Sequence, residues 1–154
     1  MLSKEEKKAL NTHFWSGFKE FMKKTSSSNG RRMNWLNYPS DVKGIYIRLE
    51  ADAKGARLCL DIQPKDDGIR AIIWEQMIEL KRVLESNMNS ETIWTENYNL
   101  PDSRKISRIS WETTEGSIYN KDEHETLYQF LKLRLVEFDV FYQEFKDILI
   151  LLVN

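Results

Sequence analysis

Residues 44–63 read GIYIRLEADAKGARLCLDIQ, two runs that alternate apolar and polar around the turn Asp52-Ala53-Lys54-Gly55. Folded back about that turn, one face becomes Ile45/Ile62, Ile47/Leu60, Leu49/Leu58 and Ala51/Ala56. The other becomes Tyr46/Asp61, Arg48/Cys59 and Glu50/Arg57. A period of two that agrees across both strands fixes the register, because a slip of one residue exposes every apolar side chain. The stretch therefore predicts a β-hairpin with one buried face, Ile47, Leu49, Leu58 and Leu60 packing against helices.

On the N-terminal side, Ser3 to Glu6 has the spacing of a capping box. Leu10, Phe14, Phe18 and Phe21 follow as one helical stripe, widened by Trp15 and Met22. The run Thr25-Ser26-Ser27-Ser28-Asn29-Gly30 ends that helix in a loop. Met33, Trp35 and Leu36 predict a short extended piece, and Pro39 limits regular pairing.

On the C-terminal side, Pro64 closes the second strand and Asp66 or Asp67 can cap a helix. Ile69, Ile73, Met77, Leu80 and Leu84 form its stripe. A second hairpin is expected from Thr92–Thr95 and Ile106–Trp111 about Leu100-Pro101-Asp102. Ile106 and Ile109 have opposite parity, which calls for a bulge or a twist. Asn120 to Glu123 predicts another capping box. The last helix carries Leu127, Leu131, Phe138, Phe141, Phe145, Ile148 and Leu152, with Arg134 in the seam. The expected fold is α+β, two-layered, with an antiparallel sheet of about four strands in two hairpins. Three main helices complete it, in the order α-β-β-α-β-β-α, as a single domain over 1–154.

Composition excludes more than it selects. The chain has 154 residues, 31% charged and 41% hydrophobic, with a formal net charge of -1. Such a charge offers no overall field for a polyanion, so nucleic acid needs a local patch. One cysteine, Cys59, excludes an internal disulfide and a cysteine-rich zinc site. No apolar run approaches the ~20 residues of a membrane span, and MLSKEEKKAL lacks the apolar core of a signal peptide. A cytoplasmic protein without a membrane partner is expected.

Catalytic patterns fail one by one. His124-Glu125-Thr126-Leu127-Tyr128 resembles a zinc-protease helix until its last position, where Tyr stands for the second His. It reads as an ordinary polar pair in a first helical turn. Asp52 and Gln63-Pro64-Lys65 mimic a restriction-type nuclease site, yet they lie at opposite ends of one hairpin, more than ~20 Å apart at ~3.3 Å per residue. Cys59 faces Arg48, a neighbour that lowers a thiol pKa, but no general base stands beside it. The glycines are scattered, so no phosphate loop is present. The sequence assigns no catalytic residue, no metal ligand and no cofactor.

Two surfaces are left. Tyr46, Arg48, Glu50, Arg57 and Asp61, with Gln63, form the polar hairpin face, a candidate ligand site whose plainer reading is a solvated sheet face. Lys23, Lys24, Arg31, Arg32 and Trp35, with Lys19 and Tyr38 nearby, are a candidate nucleic-acid site. Arg104, Lys105 and Arg108 add cations on the second hairpin. Cations beside aromatic rings suit single strands through phosphate attraction and stacking. The plainer reading there is a solvated helix end, where lysine also favours the dipole. Finally, Ile148 to Val153 is continuously apolar. Ile150, Leu151 and Val153 are expected to face water and to form a homodimer through the C-terminal helix.

The layout as a whole resembles the bacterial family known only as domain of unknown function 4268. The features are Phe14-Trp15 and Phe18 on the first helix, Arg48-Leu49-Glu50 in the first strand, and Trp94 after the second helix. The Arg104-to-Ile109 strand and the Phe-rich last helix complete them. The resemblance implies no catalytic residues. It implies an association with nucleic-acid metabolism or defence, since similar domains occur alone or after a nuclease-like domain. Nucleic acid or a nuclease-related protein is the partner this implies. The leading expectation is a non-enzymatic binding or interaction domain. The competing one is an enzyme acting on an anionic substrate at the polar hairpin face, with Arg48 and Arg57 holding the anion and Glu50 or Asp61 as acid–base group.

Overall fold

A computed structural model describes residues 1–153. The elements run α1 (Lys4–Met22), β1 (Ile45–Asp52), β2 (Gly55–Ile62), α2 (Asp67–Glu79), α3 (Lys81–Asn87), β3 (Ile93–Asn99), β4 (Lys105–Thr113) and α4 (His124–Val153). A 3₁₀ turn, Lys121–Glu123, precedes α4. The strands form one antiparallel sheet in the order β1-β2-β4-β3.

The first hairpin has the register read from its sequence, from Ile45 opposite Ile62 to Ala51 opposite Ala56. Ile47, Leu58 and Leu60 are buried, whereas Leu49 and Ala51 are only half-buried. β1 is an edge strand, so its far end lacks a neighbour to cover it. Gly55, at φ 145°, leaves β2 space against the Thr113 carbonyl, which a Cβ would strike. The second hairpin carries the expected irregularity, a register shift between Thr95 and Tyr98.

The helices cover one face. Leu127, Leu131, Leu135, Phe138, Tyr142 and Leu149 of α4 belong to a core shared with Leu58, Leu60, Ile109 and Trp111. These α4 residues follow one another at three or four positions, with a single gap of two turns before Leu149, as one face of a helix requires. The expected stripe holds through Leu127, Leu131, Phe138, Phe141 and Phe145 and misses at the end: Ile148 and Leu152 are exposed, and Leu149 takes their place. Ile150 and Val153 pack on the core instead of facing water, while Leu151 is 81% exposed.

Other local expectations shift as well. Ser3 and Glu6 make the reciprocal capping box. Asn120 instead caps Asp122, and Glu123 accepts from the Ser117 amide, so no box forms there. The single expected helix after Pro64 is broken at Leu80 into α2 and α3, and Ile69 lies exposed. Residues 31–42 form no strand: Trp35, Tyr38 and Val42 are drawn into the core from turns and bends.

Candidate functional site

Pairing of β2 with β4 places Asp61 opposite Arg108 and Cys59 opposite Ser110 on the sheet face away from the helices. Arg108 Nε and Nη2 donate to the two Asp61 oxygens at 2.7 and 2.9 Å, and both side chains are buried. Arg108 also reaches Glu50 at 3.3 Å. Arg57 donates to Glu50 at 3.1 Å and Asp52 at 2.9 Å, and Arg48 to Asp61 at 3.4 Å. Arg48, Arg57 and Arg108 thus face Glu50, Asp52 and Asp61, three charges of each sign. Tyr98 lies 4.2 Å from the Arg108 guanidinium and Tyr46 4.8 Å from that of Arg48.

Of the predicted ligand residues, Tyr46, Arg48, Glu50, Arg57 and Asp61 do share one surface. Asp61 is not solvated, because Arg108 lies over it. Burial alone would lower the Arg57 pKa, but the hydrogen bonds it donates to Asp52 and Glu50 outweigh it and hold the pKa above its ordinary value. Cys59 sits beneath this lattice. Burial pushes its thiol up to about 12, against the attraction of Arg108, so the lowering expected from Arg48 does not occur. The sequence placed Arg108 among free cations of the second hairpin. Its strand parity with Ile106 was visible, but the pairing of β4 with β2 was not. Arg104 likewise is paired, with Asp102 at 2.8 Å.

The second surface lies beyond the end of α1. Lys19, Lys23 and Arg32 line a groove of about 600 Å³ together with the acidic Glu20 and with Asn34, Trp35 and Asn37. Lys24 and Arg31 are exposed beside it. Lys23 approaches Glu20 at 3.9 Å. Among the described residues, Lys19, Lys24, Arg31 and Arg32 form no ion pair. Trp35 is 3% exposed and donates its indole N–H to the Thr25 carbonyl at 2.9 Å. It is a wall of the core and offers no open ring face for stacking, which corrects its assignment as a base platform.

A buried carboxylate on α4 shapes this groove. Asp139 accepts from Ser27 Oγ at 2.9 Å, the Ser28 amide at 2.6 Å and the Tyr38 hydroxyl, with Gln143 Nε2 at 3.3 Å. Burial and the Asp139 charge both raise the Tyr38 pKa, keeping the phenol a donor. Four donors replace the water that an isolated buried carboxylate loses. The serine loop is thereby tied to α4, and Ser27 and Gly30 close the turn that presents Arg31 and Arg32 outward. One signal was legible beforehand, a lone aspartate in the apolar run 138–141, but nothing local named its partners.

His124 is a packing residue rather than a solvated polar pair with Glu125. Its Nε2 is 2.6 Å from the Ile118 carbonyl oxygen and its ring lies edge-on to Phe14. Tyr128 donates to the Phe14 carbonyl at 2.7 Å, and Gly17 has no Cβ to collide with its hydroxyl. No group of three metal-ligating side chains occurs among the described residues. No helix among them is long and apolar enough to cross a membrane.

The family model Domain of unknown function (DUF4268) matches residues 10–146. The chain belongs to this family. Both surfaces lie within the matched span, as do Asp139 and Arg108, so they are features of a DUF4268 domain and not of an appended segment. No curated protein and no solved structure matches the chain.

Proposed function

We propose that this DUF4268 domain is a non-enzymatic binding module whose working surface is the basic groove, and that its ligand is single-stranded nucleic acid. One observation carries the reading: Lys19 and Arg32 line a formed groove without an ion-pair partner among the described residues, and Lys24 and Arg31, exposed next to groove residues in sequence, are likewise unpaired, so these four cations outnumber the one carboxylate of the groove, Glu20. The arginines on the sheet face are already matched by carboxylates. That arrangement gives little support to the competing enzyme, since an anion there must displace Glu50 and Asp52 from Arg57. With Trp35 turned inward, recognition rests on phosphate contacts and on Asn34 and Asn37 rather than on stacking. The association of similar domains with nuclease-like ones points the same way.

Fluorescence anisotropy with a labelled single-stranded oligonucleotide at low salt tests the reading. Binding is expected, with a log–log salt slope of about -3, from ~0.7 per phosphate for four or five neutralised phosphates. Absence of binding at high micromolar protein dismisses it.

A further inference from the structure

We propose that the free edge of β1 is a self-pairing surface: two copies of this chain join β1 to β1 antiparallel about a two-fold axis at Leu49, making one continuous eight-stranded sheet. The Gln63 amide donates to the Gly44 carbonyl. By antiparallel alternation, the even-numbered residues of β1 then bond to β2, and Ile45, Ile47, Leu49 and Ala51 turn their N–H and C=O outward. Ile45 is satisfied locally: its N–H reaches Val42 and its carbonyl accepts from Ser40. Among the described residues, nothing bonds to the outward groups of Ile47, Leu49 or Ala51.

Of the usual protections of an edge strand, β1 has charged side chains, Arg48, Glu50 and Asp52, and lacks the others. β1 is eight residues long, regular, and without proline, bulge or lysine. Clefts of about 490 and 510 Å³ flank it, one beside Ile45–Arg48 and one beside Leu49–Asp52. Trp15, Leu49 and Ala51, all half-buried, line the second cleft beside the charged Glu50, Asp52 and Arg57.

The side chains select a second copy of the same strand as the occupant, and one register. With the axis at Leu49, Leu49 and Ile47 exchange backbone bonds with Leu49 and Ala51 of the other copy. Arg48 then falls opposite Glu50 in a non-hydrogen-bonded pair, where side chains approach most closely, and symmetry makes that ion pair twice. An axis at Arg48 or Glu50 opposes like charges. An axis at Ala51 opposes Glu50 to Asp52. An axis at Ile47 needs the backbone groups of Ile45, which Val42 and Ser40 already hold. The strand is self-complementary only about Leu49.

Light scattering at high micromolar concentration should give twice the 18.3 kDa chain mass. Arg48→Glu should weaken the dimer about tenfold or more, by turning two attractive cross-strand pairs repulsive. Leu49→Cys supplies an independent readout, because Cys59 is buried and leaves the new thiol as the only accessible one. Mild oxidation should link two Leu49→Cys chains, whose Cα atoms lie about 5.5 Å apart in a hydrogen-bonded pair, and should leave Ala51→Cys unlinked. A single-chain mass with no cross-link overturns the proposal. So does a dimer that survives Arg48→Glu but is lost with Leu151→Glu, which assigns the contact to the C-terminal helix. Linking of Ala51→Cys as readily as Leu49→Cys overturns the register.

Discussion

The sheet face and the groove beside the serine loop both gather arginines, and they treat them oppositely. On the sheet, Arg48, Arg57 and Arg108 are consumed by Glu50, Asp52 and Asp61, and the innermost pair is out of water. Beside the groove, a buried carboxylate, Asp139, holds the loop, and Lys19, Lys24, Arg31 and Arg32 are left without an ion pair among the described residues, Lys23 alone approaching Glu20. The first arrangement stabilises a fold. The second keeps charge available to a partner. Counting arginines in a sequence does not separate the two; the pairing does.

The largest effects should come from breaking the neutral lattice. Asp61→Ala leaves the buried Arg108 with only its longer contact to Glu50 and should cost about 3–5 kcal/mol in a denaturant titration. Leu58→Ala, beneath the same hairpin, should cost about 2–5 kcal/mol through lost transfer energy and a cavity. A loss under ~0.5 kcal/mol in either case contradicts the packing described. Asp139→Ala should cost about 2–3 kcal/mol, since it removes charge-assisted bonds from Ser27, Ser28 and Tyr38. It should also weaken oligonucleotide binding without touching a cation. If it destabilises the fold and leaves binding intact, the loop is not what shapes the groove.

A smaller effect concerns Cys59. Its folded pKa is raised to about 12 from 9.0, so stability is fully present below pH 9 and falls as pH rises from 9 toward 12. Cys59→Ala should flatten that part of the alkaline stability profile relative to the parent protein. Smallest of all, Arg31→Glu with Arg32→Glu should change stability by no more than about 0.5 kcal/mol per site, because both side chains are solvated.

The sequence made the first hairpin legible because two period-2 patterns had to agree about one turn. The bulge in the second was legible from the parity clash of Ile106 and Ile109. What stayed hidden was set by long-range partners. Nothing local says that β2 pairs with β4, and that pairing alone turns Arg108 from a free cation into the clamp on Asp61. Trp35 looked like a stacking ring because it stands among cations and polar residues. Its burial depends on the serine loop being tied down by Asp139, more than a hundred residues away. The α4 stripe went astray only in its last turns, because residues 148–153 are all apolar and no pattern there says which of them faces the core.

The measurement that bears most directly on the division between spent and available arginines is oligonucleotide binding, compared between two variants at matched low salt. Arg31→Glu with Arg32→Glu should abolish binding, and Arg48→Gln, on the sheet face, should leave the affinity of the parent protein. Loss of binding with Arg48→Gln, or its retention after charge reversal at Arg31 and Arg32, would contradict the account.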